Sequence, residues 1–127
     1  MITDKYADLL LTYEMSFAEI TQILKVIGNG KRLKILVFLL NKPQSYSSIV
    51  KELQLKKTAI SNHLSHLLNV NLIKRGEYGI YEITGDGIEF LKGIEQAYHM
   101  SPTRQLRKFE ELQRRGVSES FLHRFSQ

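Results

Sequence analysis

The sequence predicts a mainly α protein carrying one small two-stranded β-hairpin. Apolar residues recur at helical spacing through most of the 127 residues. The period drops to two in a single stretch, Leu72 to Ile83. Between these segments Gly, Pro, Ser and Asn stand where helices stop and start.

Tyr6, Leu10, Tyr13, Phe17, Ile20, Leu24 and Ile27 follow one another at alternating steps of four and three, the spacing of a narrow helical seam. Ser16 and Glu19 also read as a capping box that would begin a second helix at Phe17. The seam keeps its phase across Ser16, which favours one long helix bent there and ended by Gly28 and Gly30. Lys31 to Leu40 is a short helix, apolar nearly all round after its first turn, and is expected to be the central buried element. Asn41 and Pro43 stop it. Ser47 is expected to cap the next helix, with Ile49, Val50 and Leu53 inward. After a tight Gln54-Leu55 turn, Lys56 to Asn69 forms a helix that buries Ile60, Leu64 and Leu67. The hairpin follows: Ile73, Tyr81 and Ile83 alternate with Lys74, Arg75 and Glu82 around Gly76-Glu77-Tyr78-Gly79. Thr84 caps a helix with Ile88, Leu91, Ile94 and Tyr98 on one side. Ser101-Pro102 starts another, carrying Leu106, Phe109 and Leu112, which Gly116 is expected to end before a short turn at Ser118–Phe125.

Composition narrows function. With no cysteine, disulfide scaffolds, cysteine-bound zinc and thiol chemistry are excluded. The longest apolar run, Ile35 to Leu40, is far below the ~20 residues that span a bilayer. Asp4 and Asp8 break the amino terminus as a signal sequence, so a soluble cytoplasmic chain with no membrane partner is expected. The net charge of +5 is unevenly spread: residues 1–27 carry −2, residues 28–84 +6, residues 85–100 −2 and residues 101–127 +3. A basic middle between acidic flanks suits a polyanion. Four segments are therefore expected: an N-terminal helix (1–27), a basic core (28–84), a further helix (85–100) and a basic helical tail (101–127).

The order of helix, helix, short helix, tight turn, helix and hairpin, followed by a further helix, describes a winged helix-turn-helix. Two stretches carry a family resemblance most strongly: Leu24-Lys25-Val26-Ile27-Gly28-Asn29-Gly30-Lys31-Arg32-Leu33-Lys34-Ile35-Leu36 and the ungapped block from Ser45 to Ser61. Asn62-His63-Leu64 and Leu72-Ile73-Lys74-Arg75 add to it. From about Leu24 to Leu91 the chain resembles the ArsR/SmtB-type winged-helix transcriptional regulators. It departs from that family in three places. Gln54 stands where the turn glycine is usual, at a conformational cost. Lys56 replaces the N-cap serine and cannot accept a hydrogen bond, so Thr58 is an alternative cap that would shorten the helix by a turn. The wing is also short.

Lys57, Thr58, Ser61, Asn62 and Ser65 occupy the helix face opposite Ile60, Leu64 and Leu67. Asn62 offers the amide that suits adenine, and Ser61 and Thr58 can bond bases or phosphates. Lys56 and Lys57 at the helix start, and Lys74 and Arg75 in the wing, suit phosphate; Lys31 and Arg32 are further candidates. Polar residues on any exposed helix look similar, so the surrounding pattern gives these their weight. His63 joins the DNA-binding set because the matching family position implies it. The resemblance also implies a homodimer built from the first and last helices, assigning Tyr6, Leu10, Tyr13, Phe17, Ile20, Leu91, Ile94 and Tyr98 to the interface. His63 and His66 have a spacing that can chelate a metal, and Asp86 with His99 repeats fragments of a family metal site, but neither set is complete. No cofactor and no metal are expected, and the sequence names no effector. The expected function is sequence-specific double-stranded DNA binding by a homodimeric transcriptional regulator, with helix 56–69 in the major groove and wing 72–83 on the backbone. The alternative is a winged helix that serves as a protein-interaction module in a larger assembly. No glycine-rich phosphate loop, nucleophile elbow or paired carboxylates point to an enzyme.

Overall fold

The computed structural model describes the backbone of residues 4–125 and the side chains of residues 4–116. It divides into two compact units, Met1–Glu89 and Phe90–Gln127. The first holds a 3-10 turn (Asp4–Tyr6), α1 (Ala7–Ile27), α2 (Gly30–Asn41), β1 (Gln44–Ser45), α3 (Tyr46–Leu53), α4 (Lys57–Asn69), β2 (Ile73–Arg75), a second 3-10 turn (Glu77–Gly79), β3 (Ile80–Ile83) and the opening of α5 (Gly85–Met100). The second holds the remainder of α5 and α6 (Pro102–Phe125).

The first helix is one element bent at Ser16, whose φ of −125° and ψ of 21° leave the helical region at the capping-box pattern. Gly28 ends it, but Gly30 does not share that role: it is the first residue of α2. Asn29 accounts for the early start, because its Oδ1 accepts the amides of Lys31 and Arg32 at 3.0 and 3.2 Å. Ser45, not Ser47, caps α3, accepting the Ser48 amide at 3.1 Å. The α4 helix begins at Lys57 with Lys56 as its N-cap, so Thr58 does not shorten it.

The core gathers Val26 and Ile27 from α1, Ile35, Leu36 and Leu39 from α2, Ile49 from α3, and Ile60, Leu64 and Leu67 from α4, against Leu72, Ile73 and Tyr81 of the sheet. The α2 helix is buried on one side only, since Val37 and Leu40 are 54% and 49% exposed. The expected hairpin pairs Ile73 with Ile83, Lys74 with Glu82 and Arg75 with Tyr81. A two-residue strand that the sequence did not announce, β1, joins its other edge and makes a three-stranded antiparallel sheet in the order β1-β3-β2.

The opening of α5 is seated against this sheet. The Thr84 Oγ1 accepts the Gly87 amide at 3.0 Å, as expected of a cap, and donates to the Asn71 carbonyl at 2.6 Å. Gly87 is buried, and a Cβ there would collide with the Leu72 carbonyl oxygen and the Ile83 side chain.

In the second unit Ser101 caps α6, its Oγ accepting the Arg104 amide at 3.2 Å, while the Arg104 guanidinium lies 5.3 Å from the Tyr98 ring centre. Gly116 does not end α6. The helix runs on to Phe125 through the stretch expected to be a separate turn, and a glycine inside a long helix costs only about 1 kcal/mol.

Candidate nucleic-acid interface

The turn between α3 and α4 depends on Gln54, which takes the left-handed conformation (φ 54°, ψ 40°) and donates its amide to the Val50 carbonyl at 2.9 Å. A side chain in that region is strained where glycine would not be. Lys56 follows as an N-cap with no side-chain hydrogen bond. The first turn of α4 therefore presents helical amides with no acceptor from its cap residue, beside the cations of Lys56 and Lys57. Such a terminus attracts anions.

Tyr46, which the sequence reading passed over, ties the two helices together. Its hydroxyl lies 2.7 Å from the Lys57 carbonyl oxygen and 2.8 Å from Ser61 Oγ. Only its eleven-residue separation from Lys57 in the chain hid the contact.

Burial of Ile60, Leu64 and Leu67 turns the opposite side of α4 outward. Lys56, Lys57, Thr58, Ser61, Asn62 and Ser65 are all exposed, while His63 is half-buried at the edge of that face. No acidic residue occurs between Glu52 and Glu77, so the exposed face is purely polar and cationic. His63 has a pKa below the usual histidine value, chiefly because burial disfavours its charged form, and then because Arg32, His66 and Lys31 repel it. That repulsion places the basic first turn of α2 close to α4. The Nδ1 of His63 and the Nε of Arg32 are both buried without a hydrogen-bond partner.

The wing holds its two cations in cross-strand pairs. Lys74 Nζ is 3.4 Å from Glu82 Oε1, and the Arg75 guanidinium lies 5.8 Å from the Tyr81 ring centre. Both remain exposed, and a surface ion pair of this kind is worth little. At the tip, Tyr78 is 96% exposed and has φ of 60°, a left-handed residue before Gly79 at 69°. An isolated aromatic so fully presented gave no signal in the sequence beyond its place in the turn. Among the described residues no group of three or more His, Asp or Glu side chains could hold a metal. Asp86 is hydrogen-bonded to Asn71 at 3.1 Å, and His99 sits 3.4 Å from Glu95.

The model for bacterial regulatory proteins of the arsR family matches residues 29–75, from the cap of α2 through the first strand of the wing. Among solved structures, the chain is similar to the transcriptional regulator HlyU from Vibrio vulnificus CMCP6, at 29% identity and a TM-score of 0.56 over 70% of this chain and 97% of that one. It is similar also to HlyU from Vibrio cholerae N16961, at 28% identity and a TM-score of 0.54 over 66% of this chain and 92% of that one. The fold is shared with the homodimeric winged helix-turn-helix DNA-binding domain of Mb0332 from Mycobacterium bovis, a possible ArsR-family regulator, at 24% identity and a TM-score of 0.55 over 76% and 85% of the two chains. No curated protein matches the chain. The fold around the interface is thus that of a winged helix-turn-helix regulator.

Proposed function

We propose that this chain is a sequence-specific double-stranded DNA-binding transcriptional regulator that acts as a homodimer. The observation that carries the reading is the exposed α4 face, where Lys56, Lys57, Thr58, Ser61, Asn62 and Ser65 stand together with no carboxylate among them. A helix with this face fits the major groove, which is about 12 Å wide. Asn62 there reads base edges, with Thr58, Ser61 and Ser65 beside it. Lys56 and Lys57 neutralise phosphates at the helix start, and Lys74 and Arg75 do so from the wing. His63, half-buried at the edge of the same face, joins this DNA-contacting set.

The homodimer part of the reading is supported by α1. Tyr6, Leu10, Tyr13 and Phe17 are 55%, 61%, 47% and 63% exposed, a run of apolar side chains that isolated soluble chains avoid. In the proposed dimer these residues and Ile20 pair with their symmetry mates. Leu91, Ile94 and Tyr98 of α5 add to the same interface. Two copies then present recognition helices to half-sites about one helical turn apart. The Mb0332 domain, described as homodimeric and DNA-binding, supports a homodimer.

The test is an anisotropy titration of the full chain against duplexes from its own genome. Affinity is expected to fall steeply as salt rises, with a log–log slope of about −0.9 per phosphate contact. Binding that stays weak at ~50 mM salt and does not respond to more salt would overturn the reading. The double variant Lys57→Glu, Arg75→Glu is expected to abolish DNA binding and leave the dimer intact. If it instead lost a protein partner with DNA affinity unchanged, the interaction-module reading would replace this one.

A further inference from the structure

We infer that Tyr46 dictates which base groups Ser61 reads: its oxygen accepts the hydrogen bond that the Ser61 hydroxyl donates, so that Ser61 reads only an exocyclic amino group, on adenine or cytosine. This rests on the reading that α4 enters the major groove. The argument is a count of protons. A phenol has one, and Tyr46 contacts two oxygens, the Lys57 carbonyl at 2.7 Å and Ser61 Oγ at 2.8 Å. A carbonyl only accepts, so the Tyr46 proton must lie on the Lys57 oxygen. The 2.8 Å contact is then a hydrogen bond only if Ser61 donates and Tyr46 accepts.

Ser61 has no competing outlet for its proton within the helix. A serine hydroxyl often turns back to the carbonyl four residues earlier, which here is Lys57. That carbonyl has two lone pairs: one takes the Ser61 amide of the helical ladder and the other takes Tyr46. With its proton committed, the exposed Ser61 Oγ offers lone pairs alone. Phosphate oxygens, guanine O6 and N7, and thymine O4 are all acceptors and are refused. In the major groove the remaining partners are the adenine N6 and cytosine N4 amino groups. A free serine would bond any base or a phosphate; Tyr46 turns it into a discriminating contact from one helix away. Tyr46 is thus a positioning residue.

The test selects duplexes from a randomised pool with the full-length wild type, Ser61→Ala and Tyr46→Phe. The wild type is expected to enrich one base pair at one position of each half-site, and both variants to lose that preference at the same position while keeping the rest of the site. A Ser61→Ala or a Tyr46→Phe selection identical to wild type overturns the inference; in each case the regulator reading stands. A wild type that enriches no sequence overturns the regulator reading as well, so the two failures are distinct. A second measurement needs no variant to fold. Removing the 6-amino group of the selected adenine, or the 4-amino group of the selected cytosine, is expected to weaken wild-type binding roughly threefold to tenfold, the worth of one hydrogen bond. Unchanged affinity there overturns the inference.

Discussion

Asn62 and His63 are neighbours on α4 with opposite surroundings, and the difference assigns them different tests. Asn62 is exposed on the polar face. Asn62→Ala is expected to leave the unfolding midpoint unchanged and to weaken binding to the preferred duplex by about 1–3 kcal/mol, without changing binding to unrelated DNA. Paired anisotropy titrations on the two duplexes check this. His63 is half-buried, with its pKa lowered by that burial and by Arg32, His66 and Lys31. In the unfolded chain it takes a proton near its ordinary value of 6.5, and in the folded chain only at lower pH. Below about pH 6.5 the unfolded state therefore binds more protons, and the stability contributed by neutral His63 is lost as pH falls through the folded value. Urea unfolding midpoints are expected to drop between pH 7 and pH 5, and to drop less in His63→Gln. Asn62 was legible in the sequence as a member of the α4 face, whereas His63 entered only through the family resemblance. The lowered pKa was not legible, because its chief cause is burial and the next is the charge of Arg32, about thirty positions earlier in the chain.

At the scale of elements, the start of α4 exchanges stability for charge. Lys56 stands at a cap position where serine would satisfy a helical amide. Lys56→Ser is expected to stabilise the fold by about 0.5–2 kcal/mol. The same change is expected to flatten the salt dependence of DNA binding by about one phosphate contact. Chemical unfolding and a salt titration read the two effects separately. A stabilised variant with an unchanged slope would remove Lys56 from the interface. The junction of β3 and α5 is less forgiving. Gly87 lies against the Leu72 carbonyl and Ile83, so Gly87→Ala is expected to lower stability by about 1–3 kcal/mol by forcing the helix off the sheet. Helix spans and the hairpin were readable from periodicity. The cap at Asn29 was not read at all, Gly30 being assigned to end the first helix, and the cap at Ser45 was missed in favour of Ser47 because adjacent serines share capping chemistry. Backbone position, not residue type, chooses among them.

On the scale of the whole molecule, the exposed apolar run on α1 asks for a partner. Tyr13→Glu with Phe17→Glu is expected to convert the proposed dimer to monomer in sedimentation equilibrium. DNA affinity should fall with it, since two half-site contacts become one. Folding should survive, because neither residue contributes to the core. A dimer that persists in this variant would exclude α1 from the interface. The seam was readable at its full length, yet its steps of four and three describe a core-facing stripe as well as an intersubunit one. Exposure separates the two ends: Val26 and Ile27 are buried, whereas Tyr6 to Phe17 are not.

Periodicity, punctuation and charge by themselves determined the helices, the hairpin, the inward face of α4 and the cationic middle of the chain. These follow from interactions between residues close in sequence, where spacing dictates which side chains share a face. Tertiary structure alone decided what comes from distant segments. It joined β1 to the hairpin, drew the Tyr46 hydroxyl onto Lys57 and Ser61, pressed Gly87 against Leu72, and left Val37 and Leu40 uncovered. Each of these depends on how neighbouring elements pack, and local spacing carries no record of that distance.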